Sequence, residues 1–279
     1  MSPSRASGLI WPHGHHAKYR QVLQIARERR VDVVVNGGDL LPNGGDLHDQ
    51  QAEFLDRFLD PHLGEYDAAG IQYVAYLGND DLRVHDERFK GLCARHPMAT
   101  NLAQAHLELD EFDLIGTNWV VDYPFRLKDR CRMDTADYRF GPQFGSGLLS
   151  KPDGFEKLAD WPSHAETLPT IEEELDRLPS PRDPATAIYV IHMPPANLGL
   201  DVCGTGETVG SEAVYRFIER VQPLLTLHGH IHESPDVSRV WRAQLGRTWC
   251  IQPGQMKPLS YVLIELPEMQ IERIVVAAT

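Results

Sequence analysis

Residues 229 to 232 read GHIH, two histidines spaced two apart directly after an apolar run. On an extended strand end that spacing turns both imidazoles, His230 and His232, to one side, where they can face two adjacent metal ions. Similar polar clusters follow other short apolar runs: PHGHH at 12–16, NGGDLLP at 36–42, LGNDD at 77–81 and IHMPP at 191–195. Singly each is weak, since Asp39 could form a turn, Asn79 cap a helix and His192 be a satisfied core histidine. Together they offer carboxylate and amide oxygens with imidazole nitrogens and no thiolate, a donor set suited to Mn, Fe or Zn. Glycines at 37, 38, 78 and 229 allow backbone to pass close to such a cluster without a Cβ clash.

The elements that would position these residues follow from hydrophobic period. Short β-branched runs at 8–11, 31–35 and 71–77 alternate with amphipathic stretches at 18–30 and 50–63, the pattern of parallel strands joined by crossover helices. Ligands of such sheets gather at the carboxyl ends of the strands, where all five clusters fall. Further strands are expected at 105–109, 112–119, 186–192, 223–228, 247–251, 260–266 and 270–277, ending in an antiparallel meander, with helices near 170–178 and 209–220. Residues 1–7 read as a disordered tail and 8–279 as one domain. Within it, about 122–169, rich in Pro, Gly and mixed charge, reads as an inserted loop or cap. Its start holds Arg126, Lys128, Arg130 and Arg132 close together; a solvated basic run and a contact to substrate phosphate are equally open readings.

The chain of 279 residues, 42% apolar, can fill a sizeable core. A net charge of −13 argues against a nucleic-acid or anionic-membrane surface. Four scattered cysteines form no CxxC pair, and no run approaches the length needed to cross a bilayer. A cytoplasmic protein is expected. Neither GxGxxG nor GxxxxGK[ST] occurs, which disfavours a dehydrogenase or a kinase.

In order along the chain, PHG, GGD, GND, IHMPP and GHIH resemble the calcineurin-like metallophosphoesterase superfamily, whose pattern is DxH, GDxx, GNHD/E, a lone His and GHxH. The stretch from Leu200 to Ser234, followed by IQPGQ, looks most like the branch of predicted phosphoesterases related to Icc-type cyclic-nucleotide phosphodiesterases. The resemblance implies a four-layer αββα sandwich with mixed sheets and a dinuclear metal site at one edge. It implies that Asp39 bridges the metals, that Asn79, His192 and His230 complete the second site, and that His13 and His232 serve the first.

Two positions depart from that pattern. Where the family carries a histidine after the asparagine, this chain has Asp80, the candidate catalytic residue here, which would act as a proton donor if its pKa were raised, or else orient solvent or Asn79. Where the family's first carboxylate belongs, two residues before His13, stands Trp11, and an indole cannot coordinate a cation. Either a first-site ligand has been lost, or the residues before Trp11 are not the ancestral start of the strand. The first site should then be the weaker one unless His15, His16 or Asp46 moves in. His15 and His16 are otherwise expected to lead into a helix. The function expected is hydrolysis of a small phosphate ester, more a phosphodiester, by a metal-activated water; the alternative is a weak or inactive binding relative.

Overall fold

Val33, Val34 and Val35 alternate across a strand, and the two faces they reach define the architecture. The computed structural model describes residues 5–7, 14–256 and 258–276. Val33 and Val35 enter a central cluster with Val74, Tyr76, Leu114, Ile188 and Val190, while Val34 joins Leu23, Leu59 and Leu63 on the opposite side. Both faces of these parallel strands are buried, which explains why their sequences run apolar without a polar alternate.

The first sheet has the order β16-β15-β1-β2-β3-β4, with β1 at Arg5–Ser7, β2 at Val33–Asn36, β3 at Gln72–Ala75, β4 at Ala99–Asn101, β15 at Ser260–Glu265 and β16 at Gln270–Val275. The second has the order β13-β14-β12-β11-β6-β5, with β5 at His106–Leu109, β6 at Phe112–Thr117, β11 at Ala187–Ile191, β12 at Leu225–His228, β13 at Arg242–Leu245 and β14 at Thr248–Ile251. β2, β3 and β4 run parallel, as do β6, β11, β12 and β14, so their carboxyl ends share one edge. Asn118, just past β6, ties the sheets together there: its Nδ2 donates to the Leu77 carbonyl at 2.7 Å.

Helices cover the outer faces. α1 (His16–Arg29) packs on the first sheet with α2 (Leu47–Phe54), which continues through a π turn at Leu55–Leu59 into α3 (Asp60–Ala69), and with α4 (Asp86–Cys93). On the second sheet lie α5 (Trp161–Ala165), α6 (Ile171–Asp176) and α7 (Glu212–Val221), whose Val214, Phe217 and Ile218 meet Tyr189 and Ile191. A last short helix, α8, spans Ser234–Ser238. The four-layer αββα arrangement with mixed sheets is therefore present.

Two expectations change, and a third falls outside the described residues. The first strand lies at Arg5–Ser7, inside the stretch expected to be a disordered tail; its backbone fills the gap between β2 and β15. The strand expected at 8–11 falls outside the described residues, as do Trp11 and His13. The terminal strands are not one meander: β14 pairs parallel with β12 in the second sheet, whereas β15 and β16 belong to the first. Within 122–169 the chain forms ordered pieces, namely β8 (Cys131–Arg132) beside β7 (Val120–Val121), and a hairpin of β9 (Gly147–Lys151) and β10 (Gly154–Leu158). Among the described residues, no helix is long and apolar enough to cross a membrane.

Candidate metal centre

Four loops at the shared sheet edge bring together the sequence-derived residues other than His13, which lies outside the described residues. Asp39 leaves β2, Asn79 and Asp80 follow β3, His192 follows β11, and His230 and His232 follow β12. The Oδ2 of Asp39 lies 3.3 Å from His192 Nε2 and 3.2 Å from His232 Nε2. The Oδ1 of Asn79 lies 2.8 Å from His192 Nε2 and 2.6 Å from His230 Nδ1. Asp39 and His192 are wholly buried, whereas the His232 side chain keeps 16% of its surface exposed.

Backbone geometry shows what this convergence requires. Asp39 and His230 both hold left-handed conformations, φ 50° and 64°, which non-glycine residues occupy at a cost and most often at functional sites. Gly78 is obligatory, because a Cβ there would stand 2.3 Å from the Asp39 backbone nitrogen and Oδ1. At Gly38, with φ 113°, a Cβ would stand 2.6 Å from His192 Nδ1.

His192 tests whether the set fits a cation. Its Nδ1 is 2.6 Å from the Gly37 carbonyl, so this nitrogen carries the proton. The Nε2 then directs its lone pair at two oxygens, Asn79 Oδ1 and Asp39 Oδ2. Such an arrangement of acceptors needs a positive charge among them, either a proton or a metal ion. Burial pulls the His192 pKa down, but the Asp39 carboxylate and the Gly37 carbonyl outweigh it and the pKa is raised. His230 goes the other way, lowered to about 3 by burial and by neighbouring His192, and so remains a neutral donor nitrogen. Oxygen and imidazole donors in this combination fit divalent Mn, Fe or Zn. Among the described residues no three His, Cys, Asp or Glu stand in a ready-made metal-holding group; the donors here touch one another directly.

Asp80 lies against this set. Its backbone nitrogen donates to Asp39 Oδ1 at 3.0 Å, and its own Oδ1 accepts from Asn79 Nδ2 at 2.9 Å, which leaves Asn79 Oδ1 facing the histidines. Burial, then the charge of Asp39, raises its pKa to about 6.

The residues suggested as replacements for a first-site carboxylate have other work. Asp46 caps α2, accepting from the backbone of His48 and Asp49. His16 begins α1 and stacks on Phe58 at 3.9 Å, and His15 is the residue preceding that helix, as expected. The neighbouring His228 is a core histidine, its Nε2 2.8 Å from Thr226 Oγ1 and its pKa lowered to about 4 by burial.

The roles of three supporting residues escaped the sequence reading. Asp81, fully buried, accepts from the backbone nitrogens of Leu40 (2.9 Å), Leu41 (2.8 Å) and Gly78 (2.7 Å), so one carboxylate pins both the Asp39 and the Asn79 loops. Arg130, 1% exposed, donates from Nε to the Gly78 carbonyl at 2.8 Å and pairs with Asp86 at 2.5 Å. Gln252 donates to the Gly229 carbonyl and so holds the GHIH turn. The signal for Asp81 was the doubled carboxylate of GNDD, and for Arg130 a basic run in an acidic chain.

Apart from exposed Arg126, that run is buried and not solvated. Lys128 is buried against Asp122 at 2.7 Å, and the Arg132 guanidinium lies 3.7 Å over the Trp119 ring. Arg130 and Arg132 fasten the inserted segment to the sheet edge, and Lys128 ties its first residues together.

Residues 12–234 match the calcineurin-like phosphoesterase family. The chain belongs to that family. Its members generally depend on two metal ions. Among solved structures, TT1561 of Thermus thermophilus is 17% identical, with a TM-score of 0.58 over 98% of this chain and 100% of that one. A dimetal phosphatase from Danio rerio is 13% identical, with a TM-score of 0.51 over 99% of this chain and 100% of that one. At such identities the likeness is one of fold. A comparison with curated proteins gives no match.

Proposed function

We propose that this calcineurin-like phosphoesterase hydrolyses a small phosphate ester, preferentially a diester, with two divalent ions of the Mn, Fe or Zn type. The observation that carries the reading is the pair of shared oxygens: Asp39 Oδ2 between His192 and His232, and Asn79 Oδ1 between His192 and His230. Asp39 would bridge the ions, Asn79, His192 and His230 would hold the second, and His232 with His13 the first. When bound, two such ions clamp the oxygens on phosphorus and lower the pKa of a water to a useful range. Asp80 fixes the Asn79 amide so that its oxygen, not its nitrogen, faces the ligand set; this supports a positioning role over proton donation. The acidic surface and the buried cations of 128–132 favour a small substrate over a polynucleotide.

Hydrolysis of bis-p-nitrophenyl phosphate with added manganese tests the reading. Asp39→Ala and His230→Ala should each abolish it; activity unchanged by both would show that the site lies elsewhere. A weakly active or inactive binding relative is the second reading, favoured by Trp11 in place of a first-site carboxylate. About one ion per chain after purification without chelators would support it, and Trp11→Asp should then raise both metal content and activity.

A further inference from the structure

Beside the candidate centre, rings lead outward to the surface. Tyr123 lies 5.7 Å from the His230 ring, Phe125 lies 5.9 Å from Tyr123, and Phe144 packs edge-on against Phe125 at 5.5 Å. Phe125 and Phe144 are the two most exposed large apolar residues described, at 62% and 66%. Both belong to the inserted segment, and a backbone bond from Phe144 to the Pro124 carbonyl at 2.9 Å fixes them relative to each other. The Arg126 Nε donates to the Ser146 carbonyl at 3.3 Å, placing an exposed guanidinium between the two phenylalanine loops.

We propose that Phe125 and Phe144, with Tyr123 beneath them and Arg126 alongside, form the substrate's ring-binding platform, selecting phosphate esters whose alcohol carries a planar heterocyclic ring. This rests on the phosphoesterase reading of the neighbouring centre. Neither phenylalanine belongs to a buried core cluster, and their row ends at His230, so a ring stacked on Phe125 lies two ring steps from the proposed phosphate-binding edge. Stacking between a flat heterocycle and an aromatic side chain is sequence-tolerant and strong enough to set affinity. A guanidinium at the rim supplies positive charge for an anionic ligand in a chain that carries a net −13. The structured anchor below, Lys128 to Asp122 and Arg130 to Gly78, holds the platform at a fixed distance from the centre.

The test titrates the manganese-supplemented protein with adenosine 5′-phosphate and with ribose 5-phosphate, which carries a hydroxyl where the nucleotide carries adenine. The wild-type chain should bind the nucleotide about tenfold more tightly. Replacing both rings, Phe125→Ala with Phe144→Ala, should erase that difference while leaving ribose 5-phosphate binding unchanged, and Phe125→Tyr should keep it. Equal binding of the two ligands by the wild-type chain, or a preference that survives in the double variant, overturns the platform. Loss of bis-p-nitrophenyl phosphate hydrolysis bears on the phosphoesterase reading alone, since the titration needs no turnover.

Discussion

Asp81→Asn is the substitution that most directly probes how the centre is held. The change is nearly isosteric and leaves every proposed ligand in place. All three partners of Asp81 are backbone donors, with Leu40 and Gly78 on one oxygen and Leu41 on the other. An asparagine can present only one oxygen, so its amide group must face at least one buried N–H. The mildest arrangement turns the amide toward Leu41, losing that bond, stranding its N–H and weakening the other two from charged to neutral acceptors. A bond to a charged group is worth roughly 1.5–3 kcal/mol and a stranded buried donor about 1–3, so a loss of about 2–4 kcal/mol is expected. Burial and the charge of Asp39 push the Asp81 pKa up to about 7, yet a proton on either oxygen would set an O–H against at least one buried N–H, so the anion is the form the hydrogen bonds select. Urea unfolding measures the stability, and chelator competition should show manganese held on the order of tenfold more weakly. Asp80→Asn is the control, because the Asp80 carboxylate bonds the Asn79 side chain, whereas that of Asp81 bonds the backbone of two loops. A loss under about 1 kcal/mol for Asp81→Asn, or an equal loss for Asp80→Asn, would refute the reasoning.

Two further predictions concern the scaffold. Lys128→Met removes the ammonium paired with the Asp122 carboxylate, buried at 1% exposure, leaving it Trp161 and Gln143 as side-chain partners, and should cost about 3 kcal/mol in urea unfolding; a cost below about 1 kcal/mol would mean that Lys128 does not hold the start of the insertion. His62 is buried among Tyr19, Phe58 and Tyr66 with neither ring nitrogen in hydrogen-bond contact, the Glu65 carboxylate standing 3.9 Å away, and burial lowers its pKa from 6.5 to about 4. Its folded pKa is depressed, so its contribution is fully present above pH 6.5 and is lost as pH falls toward 4. The Tm advantage of His62→Phe over the wild-type chain should therefore grow across that interval in calorimetric scans, and parallel Tm curves would count against it.

Much of the fold was legible because its strands are buried on both faces. Val33–Asn36, Ala187–Ile191 and Leu225–His228 stand out as apolar β-branched runs with turn residues at their carboxyl ends. What escaped notice was held by other means. β4 at Ala99–Asn101 and the hairpin at 147–158 are half exposed and carry no clear alternation, so only pairing with a neighbour defines them. Sheet membership escaped for the same reason: periodicity marks β14 and β15 as strands, but which sheet each joins depends on long-range pairing. The proposed metal donors could be named because glycines and histidines punctuate the strand ends. Their supports could not, since Asp81 and Arg130 act on backbone groups, and a backbone carbonyl or N–H has no signature in sequence.

Those supports bear on what the centre must resist. Asp39 and His230 sit in left-handed backbone, the two glycines that pass them admit no side chain, and the shared oxygens draw imidazoles into contact with carboxylate and amide. Each condition costs free energy without a cation present. Asp81, just past β3, fastens two of these loops through main-chain groups, and Arg130 from the inserted segment and Gln252 beyond β14 fasten one each. Holding the loops by their backbones leaves the donor atoms of Asp39, Asn79 and the three histidines to be shared among themselves and with a metal. The inserted segment thereby bears on the centre twice, holding the Asn79 loop through Arg130 and the Gly78 carbonyl and carrying the row of rings from Tyr123 beside His230 to Phe125 and Phe144. A change of the insertion that spares Arg130 should alter which ester is bound, whereas one that removes Arg130 should alter how firmly the metal is held.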